Sequence, residues 1–336
     1  MKHHLGPDAV RWLAGALELG EPFVADALAG LDALELTPRG RHVAAAMARH
    51  LPRDFVAAAA IVERALGPVE PGVPGLSSFR FLPVSFWVAE AGLADFEAAM
   101  RLQHALTQRF TAEFSVRAWL RADPARTMAR LAEWTRDPSE HVRRLVSEGT
   151  RPRLPWAPRL PGLDAVPLLD ALVGDPSLYV RRSVANHLGD VAKDDPDRAV
   201  AVARRWGHPW ITRHGLRWLV KQGHPGALAL LGARGAEVEV SGDVRVDGDD
   251  AHLAVEITSR AQQRLVVDYV VAFPGARGPR TKVFKLTTVD AAAGQVLSLS
   301  AKVSLRPMTT RPRYPGEHAV AARVNGVDFP VGTFVA

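Results

Sequence analysis

The sequence predicts a multidomain α-then-β protein, a HEAT-like α-solenoid followed by an immunoglobulin-like β-sandwich. Three observations predict it: proline corners recur at repeat spacing in the middle of the chain, apolar residues keep helical spacing up to residue 232, and short alternating apolar runs replace them beyond residue 235. At 336 residues the chain is too long for one comfortable core. Two domains are expected, 1–235 carrying the repeats and 236–336 forming the sandwich.

The first 66 residues are rich in Ala and Leu at helical spacing, as in the run FVAAAAIVERAL at 55–66, and predict several short helices. The Pro- and Gly-rich stretch 68–78 reads as a loop, and the apolar segment 79–88 after it helps to close the helical layer. No chemistry is visible in this N-terminal third.

From Phe110 the chain becomes repetitive. Asp137-Pro138, Asp175-Pro176 and His208-Pro209 each open a unit of about 33 to 38 residues. Val142 and Val180 stand four residues after their prolines and each precedes Arg-Arg, while Arg213 holds that place in the third unit. A degenerate earlier unit contains Val116-Arg117 and ends at Trp134. Repeats of this kind bury an apolar face on their neighbours and wind into a superhelix. The recurring arginines should therefore form a stripe on one face.

After residue 235 the runs 237–240, 244–246, 252–258, 265–273, 282–286, 297–303 and 318–324 read as strands, and Asn325-Gly326 is a type I′ hairpin signal before a last short one. Seven or eight short strands in a hundred residues predict the sandwich, here without a disulfide because the chain has no cysteine. That absence also excludes thiol catalysis and cysteine-ligated zinc. No His-x-x-x-His pattern, Gly-rich phosphate loop or Gly-x-Ser-x-Gly elbow is present, so neither a metal nor a cofactor is expected. With no export signal and no apolar run of membrane length, a cytoplasmic protein is expected. No assembly signal stands out, which leaves a monomer as the default.

The net charge of +6 is unevenly placed: residues 138–225 hold 14 Lys/Arg against 9 Asp/Glu, whereas residues 1–137 come close to balance. A local basic excess is the footprint of a polyanion binder, although an arginine-rich solvated surface gives the same count. The densest stretch is SEGTRPRLPW at 147–156. Within it Glu148 is flanked by Arg143 and Arg144 on one side and Arg151 and Arg153 on the other. It is either an ion-paired residue holding a loop or a carboxylate facing a cation. Trp156, stiffened by Pro152 and Pro155, is either core or a platform for a base or cation. Glu113 reads equally well as a charge at a helix start. Asn186 follows Pro176 by as many residues as Glu148 follows Pro138, which assigns the two to equivalent positions on one face, and Asp190 ends the run VANHLGD one unit after Glu148. Arg213, His214, Arg217 and Lys221 share a helix face suited to phosphates, and Arg311 and Arg313 lie in a loop between strands as a second anchor.

Taken together, the runs HVRRLVSEGTRPRLPWAPRLP, YVRRSVANHLGDVAKDDPD, TRHGLRWLVKQGHPGALALLG and TTRPRYPGEHAVAARVNG resemble the AlkC family of bacterial DNA alkylation repair glycosylases, over about residues 105 to 336. The link from Trp156 to Asp175 is shorter than the family's usual one. The resemblance implies HEAT-like repeats joined to an immunoglobulin-like domain. It also implies removal of cationic alkylated bases, 3-methyladenine and 3-methylcytosine, from duplex DNA without flipping the base, in a bacterial cytoplasm where the bound enzyme is nucleoid-associated. It places carboxylates at Glu113, Glu148 and Asp190, the last two ranked first, and a lesion contact at Trp156. Arg144, Arg151, Arg153, Arg181, Arg182, Arg213, Arg217 and Lys221, together with Asn186, then hold the DNA. The alternatives are a DNA-binding solenoid without catalysis and a protein-interaction scaffold, against which the charge in the repeats argues.

Overall fold

The computed structural model describes residues 2–70, 72, 75–306 and 314–336. Fifteen α-helices precede seven strands among the described residues. No helix there is long and apolar enough to cross a membrane. The chain divides into two compact units, Met1–Asp190 and Val191–Ala336.

In the first unit, α1 (Pro7–Ala16), α2 (Glu21–Leu28), α3 (Leu36–His50), α4 (Phe55–Ala65), α5 (Leu82–Ala91) and α6 (Phe96–Thr107) account for the Ala- and Leu-rich third. Asp54 and Asp95 cap α4 and α6 by accepting hydrogen bonds from the amides of Ala57 and Ala98. The apolar 79–88 segment becomes a 3₁₀ turn and α5, of which Leu82 through Val88 are all buried. A helix that is apolar all round belongs inside, and α5 packs against α3, α6 and the helix that follows.

The repeat region then supplies α7 (Val116–Ala122), α8 (Pro124–Trp134), α9 (Glu140–Gly149), α10 (Val166–Leu172) and α11 (Leu178–Asp194). Glu148 and Asn186 are each the ninth residue of their helices, as the proline register predicts. Val142 and Val180 are fully buried. The first arginine of each pair performs one task in both units: Arg143 Nη1 donates to the carbonyls of Asp137 and Pro138, and Arg181 Nη1 to those of Asp175 and Pro176. Each guanidinium thus satisfies the carbonyls exposed by its own corner. Arg143 goes further and grips Asp175 of the next corner through Nε (2.6 Å) and Nη2 (3.1 Å), tying one repeat to the next.

The second unit continues with α12 (Pro196–Trp206), α13 (Pro209–Gly215), α14 (Arg217–Lys221) and α15 (Pro225–Leu230) before the strands. These are β1 (Val238–Asp247), β2 (Asp250–Ser259), β3 (Gln263–Phe273), β4 (Arg280–Ala291), β5 (Val296–Ser304), β6 (Glu317–Val324) and β7 (Val327–Val335). They form a three-stranded sheet, β1-β2-β5, and a four-stranded sheet, β4-β3-β6-β7, all antiparallel. Leu253, Val255 and Ile257 of the first sheet and Val267, Val271 and Val320 of the second belong to one core. The runs 237–240 and 244–246, read as two strands, are one. Gly242 continues β1 because it lies so close to β2 that a Cβ there would stand 2.3 Å from the carbonyl oxygen of Ala254. Asn325 and Gly326 have φ of 47° and 86°, the two left-handed residues that a type I′ turn requires. Lys221 Nζ donates to the carbonyl of Val283 (2.9 Å), and Arg323 donates to that of Lys221, so the last helices are fastened to the sandwich.

Gly149 ends α9 where it presses on α7, and a Cβ at this position would lie 2.5 Å from Val116 Cγ1. Gly149→Ala should cost about 1–3 kcal/mol in chemical denaturation, the usual penalty of forcing extra volume into a packed contact. Wild-type stability in that variant would contradict the packing described.

Candidate functional site

The residues of 147–156 close on two neighbours in the first unit. Glu148 sits in the last turn of α9, Arg151 directly beyond it, Asp190 near the end of α11, and Glu113 in the turn before α7. Their side chains alternate in charge. Arg144 Nη2 donates to Glu113 Oε2 (3.1 Å) and lies 3.8 Å from Glu148 Oε2. Arg151 Nη1 donates to Glu148 Oε1 (2.6 Å), and its Nε to Asp190 Oδ2 (2.8 Å). Three carboxylates and two guanidiniums leave this row with a formal charge of −1. All five side chains are largely buried, Asp190 and Glu148 most deeply of the acids.

The acids are in different electrostatic states. Burial pushes the Glu113 carboxyl above the usual glutamate range, more than Arg144 lowers it, and Glu148 adds like-charge repulsion. Burial also acts to raise Glu148, but Arg144, Arg151 and the Ser183 hydroxyl outweigh it and hold that carboxyl below the usual range. Ser183 Oγ donates to Glu148 Oε2 (2.5 Å) and lies 3.0 Å from Ser147 Oγ. His187, one turn along α11, donates from Nδ1 to the Ser147 carbonyl (3.0 Å), and burial pushes its pKa down to about 4. Tyr179 lies beneath the Arg144 guanidinium, 5.0 Å from the ring centroid, and is flanked edge-on by His141.

The loop after α9 is braced by Arg117, whose Nη1 donates to the carbonyls of Gly149 (2.9 Å) and Arg151 (2.8 Å) and whose Nη2 donates to that of Pro158 (2.5 Å). Leu154 and Leu160 anchor the loop in the core. Trp156 between them is 87% exposed and holds φ of 66°, a left-handed conformation rare for a bulky residue. It is therefore a presented ring and not a core residue. Glu113 and Trp156 line the same cavity of about 900 Å³.

The structure thus brings Glu113, Glu148, Asp190, Arg144 and Arg151 together. Arg144 and Arg151, expected on phosphates, are turned onto carboxylates, and Arg181 onto its corner carbonyls. Arg182 is exposed on α11, while Arg153 and Asn186 are half-buried. In the second unit Arg213 and Arg217 are exposed, and with Lys221, Trp210, His214 and Lys285 they line one concavity; the single helix face expected for them is divided between α13 and α14, which break at Leu216. Arg311 and Arg313 lie outside the described residues. Sequence reasoning missed Arg117, Tyr179, Ser183 and His187 as site residues. Ser183, His187 and Asp190 do recur at helical spacing, the one signal that could have joined them.

Three likenesses bear on this arrangement. A family model described as the C-terminal Ig-like domain of the uncharacterised protein YhaZ matches residues 235–335. The uncharacterized protein YhaZ of Bacillus subtilis (strain 168) is 36% identical over 310 residues, covering 87% of this chain and 85% of the relative. Among solved structures, the Pseudomonas fluorescens alkylpurine DNA glycosylase AlkC, bound to DNA containing an abasic site analog, superposes with a TM-score of 0.89 at 34% identity, over 99% of this chain and 98% of that one.

The depressed His187 predicts a pH effect on stability. Below the ordinary value of 6.5 the unfolded chain binds a proton that the folded chain refuses until about pH 4, so stability falls as the pH drops through that window. The slope contributed is about 1.4 kcal/mol per pH unit. Denaturation of wild type and His187→Leu across this range should show the slope reduced in the variant, and parallel curves would contradict the assignment.

Proposed function

This chain belongs to the AlkC family of DNA alkylation repair glycosylases, and on that premise we propose that it hydrolyses the N-glycosidic bond of cationic alkylated bases, 3-methyladenine and 3-methylcytosine, in duplex DNA and leaves an abasic site. The observation that supports this most strongly is the alternating row of three carboxylates and two guanidiniums beside an exposed tryptophan.

An N-alkylated base already carries the positive charge that makes it leave, so no acid is needed to protonate it. As the C1′–N bond breaks, its electron pair neutralises the base and positive charge develops on the sugar. A row with an excess negative charge, largely removed from water, stabilises that charge through a low local dielectric. Glu148, held ionised by its arginines, suits this electrostatic role, and Asp190 acts with it through Arg151. Water then adds to C1′ and gives a proton to a carboxylate. Glu113 suits that step best, because its raised pKa makes it the better base and it lines the open cavity. On this reading Glu113, ranked below Glu148 and Asp190 by the sequence, comes ahead of them for proton transfer. Trp156, stiffened by its loop, contacts the cationic lesion through its ring face. The exposed Arg182, Arg213 and Arg217 hold phosphates, with Arg311 and Arg313 proposed as a second anchor on the backbone.

Wild-type protein incubated with methylated duplex should release free methylated base, detected by chromatography. Glu113→Gln should lower the rate by about 10²–10⁴-fold, the span of general-base catalysis. Because only ionised Glu113 accepts the proton, wild-type kcat/KM should fall as the pH drops through a pKa above the ordinary 4.5, and the glutamine variant should lose that limb. Duplex binding without base release would leave a DNA-binding protein and sink the glycosylase reading.

A further inference from the structure

We infer that the cavity beside Glu113 is a product pocket that takes the neutral base once its bond to the sugar is cut; the inference rests on the glycosylase reading above. The cavity belongs wholly to the first unit and measures about 900 Å³, ample for a single heterocycle. Its walls include Phe86 of α5, Phe110 and Phe114 of the segment before α7, and Trp156, and it shares Glu113 with the row of charges. Aromatic walls of this kind stack on any base, whatever its sequence context.

Two polar groups lining the cavity indicate what fills it. Ser85 Oγ and Arg117 Nε are both buried, and neither has a hydrogen-bond partner among the described residues. Ser85 is fully buried and Arg117 nearly so. Buried polar groups are ordinarily paired, so two unpaired donors in the wall of one aromatic-lined chamber suit a planar ligand that carries acceptors at its edge. A purine or pyrimidine offers ring nitrogens and exocyclic groups for both.

Charge explains the direction of travel. Before hydrolysis the base is a cation and is favoured beside the carboxylates. Heterolysis moves the C1′–N electron pair onto the base, water supplies the oxygen at C1′, and the released proton goes to Glu113. The base is now neutral, loses its attraction to the row, and stacks in a chamber whose aromatic rings stand beside charged side chains such as Arg41, Glu90 and Arg121. Binding the neutral product apart from the cation keeps it from recombining at C1′.

The experiment adds free 3-methyladenine to wild type, Ala89→Leu and Ser85→Ala. It reads binding by calorimetry, inhibition of multiple-turnover base release, and the single-turnover rate on methylated duplex. Ala89 is a small residue lining the same space one turn along α5 from Ser85, and leucine there fills part of the chamber. Free base should bind wild type and inhibit it. Ala89→Leu should weaken both effects about tenfold with the single-turnover rate kept, the volume penalty of an overfilled site. Ser85→Ala, which leaves the chamber's volume intact, should weaken them about threefold to tenfold through the lost hydroxyl. Wild-type excision with no binding or inhibition by free base, or equal inhibition in all three proteins, would overturn the pocket and leave the glycosylase standing. Absence of base release by wild type would overturn both.

Discussion

Every feature of the candidate site depends on one constraint: carboxylates buried beside one another must be separated by guanidiniums. Glu113, Arg144, Glu148, Arg151 and Asp190 meet it by alternating, at 3.1, 3.8, 2.6 and 2.8 Å. Removing charge from water is expensive, and the mutual attraction repays it only with close geometry and further hydrogen bonds. Ser183 supplies one such bond to Glu148. The row spans four places in the chain, so the fold must keep them in register. Arg143 does this by linking successive proline corners, Gly149 by letting α9 approach α7, and Arg117 by fixing the loop that carries Arg151 and Trp156. One more acid than base then leaves a net negative charge in the row.

The proline period and the valines after it were legible in the sequence, because a repeat must bury the same position in each unit. It correctly paired Glu148 with Asn186. What each arginine does was not legible. Adjacent arginines in one pattern have opposite fates: Arg143 and Arg181 turn to corner carbonyls, while Arg144 turns to two acids from different elements. Periodicity gives a face and not a partner. Glu113 read equally well as a helix-start charge because its partner, Arg144, is 31 residues away and the pair forms only in three dimensions.

The N-terminal third illustrates the same limit. Its Ala- and Leu-rich helices carry no recognisable chemistry, yet α5 and the segments around it form walls of the cavity that Glu113 and Trp156 also line. Phenylalanines spaced for packing look alike whether they face a core or a chamber. In the sandwich, alternation located the strands, and Gly242 was misleading because a glycine that permits close approach of two strands resembles one that ends a strand. The hairpin at Asn325-Gly326 was readable, since that dipeptide has few other uses between apolar runs.

The central claim is that the negative row selects a base for its positive charge. The most direct measurement is the rate of free-base release from one duplex carrying, at the same position, either cationic 3-methyladenine or neutral hypoxanthine. Release of the cationic base with none of the neutral one above background is the predicted result. Comparable release of both would show that charge is not what the site recognises.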